Sequence, residues 1–128
     1  MAKILLIDDD MDCLRSLKLI LETKGHEISA VTDGAVAIQA AKEIAPDIVI
    51  TDILMPGISG GMIYEKIRQE ISALIPIIVC SGTKLRLPVV NDPLLEYLRK
   101  PVECAMLLEK VDSLLKKRTS VEKLYDDQ

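Results

Sequence analysis

The chain lacks phenylalanine and tryptophan altogether and has only three tyrosines. Its core must therefore be aliphatic, and no aromatic surface is available to stack single-stranded nucleic acid. No apolar run approaches the ~18 residues that a membrane helix requires, and the opening Met-Ala-Lys-Ile-Leu-Leu-Ile-Asp-Asp-Asp turns acidic too early for a signal peptide. A basic block is also missing. With 16 basic and 20 acidic side chains the net charge is −4, which argues against direct nucleic-acid binding. The three cysteines, Cys13, Cys80 and Cys104, form no C-x-x-C pair and read as reduced thiols of a cytoplasmic protein. The single histidine, His26, follows Gly25 at a turn and reads as a surface residue.

What the 128 residues do contain is hydrophobic patterning: 49% are hydrophobic and 28% charged, the balance of one folded domain. A chain of this size buries roughly two-thirds of the surface its unfolded form exposes. Short apolar runs at 3–7, 27–31, 47–51, 76–80 and 94–99 read as strands, the first buried on both faces. Between them, apolar residues at helical spacing predict helices over 11–24, 35–44, 59–70 and 102–117. Thr32 or Asp33 could cap the second of these, and Gly25 suits the end of the first. The stretch 82–93 carries Pro88 and Pro93 and predicts a shortened or irregular fourth helix. Residues 118–128 are polar and read as a C-terminal tail or linker stub after a domain over 1–117. Strands alternating with helices predict a parallel five-stranded sheet covered on both faces, a three-layer α/β/α sandwich.

Ligands of such sheets bind outside the carboxyl ends of the strands. The polar residues there are Asp8, Asp9 and Asp10 after the first strand and Asp52 after the third, with Ser81 after the fourth and Lys100 after the fifth. Clustered carboxylates repel one another unless a cation or proton relieves them. Oxygen donors with no accompanying His or Cys suit Mg²⁺. With part of the charge neutralised, a carboxylate can attack a phosphoryl group.

Four motifs in order complete the picture: Ile-Leu-Leu-Ile-Asp-Asp-Asp, then Asp-Ile-Val-Ile-Thr-Asp-Ile-Leu-Met-Pro-Gly-Ile-Ser-Gly, then Ile-Ile-Val-Cys-Ser-Gly, then Tyr-Leu-Arg-Lys-Pro. Over residues 3–117 the sequence resembles the receiver domains of two-component response regulators, of the chemotaxis-regulator type. The resemblance implies a flavodoxin-like sheet in the order 2-1-3-4-5. It implies that Asp52 is the phosphoacceptor, and that Asp8, Asp9, Asp52 and the Leu54 backbone carbonyl hold Mg²⁺. Ser81 and Lys100 would contact phosphoryl oxygens, and Tyr97 would be the switch aromatic that responds with Ser81. Met55, Pro56 and Gly60 match the turn after the acceptor strand, and Lys100-Pro101 matches a bond that is often cis in the family.

The function so implied is a phosphorelay switch. It takes a phosphoryl group from a sensor histidine kinase or phosphotransfer protein and changes its affinity for a downstream effector, an output domain or a second copy. Such a domain is no enzyme beyond catalysing its own phosphorylation and slow autodephosphorylation. The competing reading is an aspartate-nucleophile phosphohydrolase of the haloacid-dehalogenase type, because Asp8-Asp9-Asp10 offers a D-x-D. That class places Thr or Val two residues after the second Asp, where this chain has Asp12.

Overall fold

A computed structural model describes residues 1–128 except 56, 85, 90, 127 and 128, and describes only the backbone of 125 and 126. Pro56 of the expected turn and the last two residues of the expected tail lie outside the described residues. The elements run β1 (Lys3–Ile7), α1 (Met11–Glu22), β2 (Glu27–Val31), α2 (Gly34–Ile44), β3 (Ile48–Asp52), α3 (Gly60–Glu70), β4 (Ile77–Ser81), β5 (Leu95–Arg99) and α4 (Cys104–Asp126). The five strands form one parallel sheet in the order β2-β1-β3-β4-β5. Fold class and strand order are those expected.

Alternate residues of each central strand serve opposite faces. Ile4, Leu6, Ile48, Ile50 and Ile78 pack with Leu14, Leu17 and Leu21 of α1 and with Leu107, Val111 and Leu114 of α4. Leu5, Ile7, Val49, Ile77 and Val79 pack on the other face with Ala37 and Ala41 of α2 and with Ile63, Tyr64 and Ile67 of α3. Burying both faces is what makes the strand sequences continuous apolar runs. Ile4, Ile48, Ile63 and Ile77 are all without solvent exposure. Each full burial of such a side chain contributes about 1.5–3 kcal/mol.

Local chemistry sets the helix ends. The Asp10 carboxylate caps α1 by accepting from the N–H groups of Asp12 and Cys13. Of the two candidates for α2 the cap is Asp33, which accepts from Ala35 N–H at 2.8 Å. Helix α1 stops at Glu22, short of the expected Lys24, and Gly25 takes φ +80° in the turn that follows.

The C-terminal helix and the segment before β5 depart further from the sequence reading. Helix α4 does not end at Lys117 but continues to Asp126. Residues 118–126 contain neither Gly nor Pro, and Arg118 binds both Glu122 at 2.9 Å and the Asp47 carbonyl at 2.9 Å, so nothing breaks the helix there. In 82–93 no helix forms among the described residues. That segment instead lays Leu87 and Val89 against the α2–α3 face of the core. Asp92 anchors it: its carboxylate accepts from the Tyr64 hydroxyl and from Arg68 Nε, the latter at 3.0 Å. No helix among the described residues is long and apolar enough to cross a membrane.

Candidate functional site

Parallel pairing brings the carboxyl ends of β1, β3, β4 and β5 to one edge of the sheet. Asp8 follows β1, Asp52 ends β3, Ser81 ends β4 and Lys100 follows β5. The register sets Asp52 beside Cys80 and Ser81 beside Arg99, and Lys100 N–H donates to the Ser81 carbonyl at 2.8 Å. Lys100 Nζ lies 2.8 Å from Asp8 Oδ2 and 3.1 Å from Asp52 Oδ2. The Asp8 side chain is 4% exposed and that of Asp52 13%. Burial alone would lower the Lys100 pKa, but hydrogen bonds and charge from Asp8 and Asp52 outweigh it and hold the ammonium above its ordinary range.

The three acids after β1 divide their work. Asp8 Oδ1 accepts from Asp10 N–H at 2.9 Å, which leaves Oδ2 for Lys100. Asp10 is occupied with capping α1, whereas Asp9 is exposed. Asp8, Asp9 and Asp52 each offer a carboxylate oxygen, all within 4.8 Å of one another. Three acids against one ammonium leave an excess of negative charge on hard oxygen donors. That donor set fits Mg²⁺.

The remaining residues approach from two loops. Leu54, beyond β3, is 59% exposed. Gly60, at the start of α3, sits so close to β3 that a Cβ there would stand 2.4 Å from the Asp52 carbonyl oxygen, and its N–H donates to Ile53 O at 3.0 Å. Only glycine permits that approach. Ser81, 4% exposed, turns its hydroxyl toward Thr83, sharing a 3.1 Å contact with Thr83 Oγ1 and accepting from Thr83 N–H at 3.1 Å. The Lys100–Pro101 bond is cis.

Tyr97, on β5 beside Val79, accepts a hydrogen bond from Leu87 N–H, and the Arg86 guanidinium lies 4.3 Å over its ring. The Arg86 contact was not legible in the sequence. It depends on the path of an irregular segment, for which no periodicity exists. Two cysteines lie beside the acids as protonated thiols: burial, then the nearby Asp8, pushes the Cys13 thiol up to about 11, and burial pushes Cys80 up to about 12. His26 precedes β2 at the opposite edge of the sheet and its Nδ1 accepts from Ala2 N–H at 3.1 Å.

A family model for the response regulator receiver domain matches residues 4–112. The transcriptional regulatory protein PrrA of Mycobacterium tuberculosis is 33% identical over 121 residues, which cover 92% of this chain and 52% of that protein. The chain thus spans about half the length of the PrrA proteins it matches. Protein PilH of Pseudomonas aeruginosa is 29% identical over 119 residues, 90% of this chain and 98% of that one. Among solved structures, a CheY-like response regulator receiver domain protein from Methanospirillum hungatei has a TM-score of 0.85 at 26% identity, covering 94% of this chain and 98% of its own.

Proposed function

This chain belongs to the response regulator receiver domains of two-component signal transduction, and from that premise we propose that it is a switch operated by phosphorylation of Asp52. The donor is a phosphohistidine on a sensor kinase or phosphotransfer protein. An Asp52 carboxylate oxygen attacks the phosphorus, the phosphorus–nitrogen bond breaks with its electron pair leaving on the imidazole, and an acyl phosphate remains. The observation that carries the reading is the bridge of Lys100 Nζ to Asp8 and Asp52, at 2.8 and 3.1 Å, beside a third carboxylate.

In this reading Asp8, Asp9, Asp52 and the Leu54 carbonyl hold Mg²⁺. The ion supplies charge neutralisation for phosphoryl oxygens approaching an acidic site. Lys100 bridges Asp8 and Asp52 beforehand and afterwards pairs with a phosphoryl oxygen as a mobile point charge. The Ser81 hydroxyl leaves Thr83 to donate to another phosphoryl oxygen, and Tyr97 rotates into the space it vacates. The domain's own chemistry is confined to gaining the phosphoryl group and losing it slowly to water. The signalling unit we assign spans residues 1–117 with 118–128 as its polar extension. It acts in the cytoplasm on an effector, an output domain or a second copy, without touching nucleic acid itself.

Intact-mass analysis after treatment with acetyl phosphate and Mg²⁺ tests the assignment. The native chain should gain one phosphate and Asp52→Asn none. Equal labelling of the two would overturn it.

A further inference from the structure

Strand β5 is an edge of the sheet, and the segment before it forms no helix among the described residues. A cavity of about 530 Å³ lies along this edge, within the size range of small-molecule sites. Four of its lining side chains are cationic, Lys84, Arg86, Arg99 and Lys110, against one acid, Glu103. This local excess of positive charge stands on a chain whose net charge is −4.

The pairing of the arginines sharpens the point. Of five in the sequence, Arg15, Arg68 and Arg118 each pair with a carboxylate. Arg86 and Arg99 pair with none among the described residues, and both line the cavity. Lys110 is partly neutralised by Glu96 at 3.1 Å. Arg86 uses the face of its guanidinium to stack on Tyr97, 4.3 Å from the ring centre, which leaves its in-plane N–H donors for an acceptor. Guanidinium groups present such donors in the fork geometry that phosphate oxygens accept.

We propose that this cavity binds a small phosphorylated ligand, gripped by Arg86 and Arg99 with Lys84 and Lys110 adding charge. The cavity adjoins the Asp52 centre through Ser81, but its cations lie outside that centre and binding needs no phosphorylation of Asp52. The cations converge on one cavity rather than tracking along a face, which suits a compact polyanion better than a polymer.

The full chain, kept in EDTA so that the acidic centre repels anions, is titrated with pyrophosphate by calorimetry and by amide NMR. Saturable binding should shift the amides of residues 84, 86, 99 and 110. It should weaken by about tenfold or more in the Arg86→Gln/Arg99→Gln double variant and stay unchanged in Arg15→Gln. Arg99→Gln alone, which leaves the Tyr97 stack intact, should show part of the loss. A parallel titration with ADP separates the sources of phosphate. Tighter binding than pyrophosphate identifies a nucleotide ligand, whereas equal or weaker binding identifies a site for the phosphates alone. The proposal fails if millimolar pyrophosphate does not bind saturably, if the double variant binds as well as the native chain, or if the shifts centre on Asp8, Asp9 and Asp52.

Discussion

The backbone N–H of Leu87 donates a 3.0 Å hydrogen bond to the hydroxyl of Tyr97. One edge strand is thereby tied to the segment that follows the Ser81 strand. Any inward rotation of Tyr97 must break this bond and unstack Arg86 from the ring. In the switch proposed above, this contact would oppose the rotated state of Tyr97 and define where the transition starts.

Tyr97→Phe keeps the ring and removes the hydroxyl. We expect a loss of about 0.5–1.5 kcal/mol, read as a lower urea midpoint at unchanged slope. The Leu87 amide should exchange faster with solvent, while the rate of phosphorylation by acetyl phosphate stays as it was. Unchanged protection of that amide would show that the bond does not order the segment.

Asp92 makes stability depend on acid. Burial raises its pKa, but the Tyr64 hydroxyl, the Leu94 N–H and Arg68 together outweigh burial and hold the carboxyl below its usual value. A depressed folded pKa contributes stability that is complete above the unfolded value, about 4, and is lost as pH falls through the folded one. Asp92→Asn should cost about 1–3 kcal/mol near neutrality, because Arg68, whose Nη2 already has no partner among the described residues, loses its counter-charge. Its unfolding free energy should vary less than that of the native chain between about pH 4 and pH 2. Parallel acid-unfolding curves would refute this.

Lys100→Met strips the only cation bonded to Asp8 and Asp52 among the described residues. In EDTA we expect a loss of about 3 kcal/mol, the low end for a buried pair because the lysine side chain is itself 25% exposed. Mg²⁺ should restore part of that stability, since it would occupy the same carboxylates. Asp9→Ala, at an exposed position, should change stability by no more than about 0.5 kcal/mol yet abolish the Mg²⁺ effect. A Lys100→Met protein that gains no stability from Mg²⁺ would contradict the proposed ligand set.

Leu54, 59% exposed two residues after the proposed acceptor, has no polar group on its side chain with which to hold an attacking water. Hydrolysis of the acyl phosphate needs that water in line with the phosphorus. Leu54→Asn should shorten the phosphoryl lifetime severalfold, measured by loss of the added mass after the donor is removed. A longer lifetime would mean that the water is positioned by other residues, such as Thr83.

The sequence by itself determined the sheet and the cast of the site. Strands buried on both faces must be continuous apolar runs, so Ile4–Ile7 and Ile77–Cys80 announce themselves, and the residue after each run falls at the ligand edge by topology alone. Tertiary structure decided what local pattern does not encode. Asp10 looked like a third acid of the site, yet its position at the start of α1 turns it to the helix N–H groups. The polar residues 118–126 looked like a tail, yet Arg118 fastens them as helix to Asp47, 71 residues away. The proline-bearing segment 82–93 has no period to read, and its path follows from Asp92 meeting Tyr64 and Arg68, and from Leu87 meeting Tyr97. Those contacts join residues far apart in the chain through single side chains. Periodicity reports which face of an element is buried, whereas such contacts depend on where a second element has already been placed.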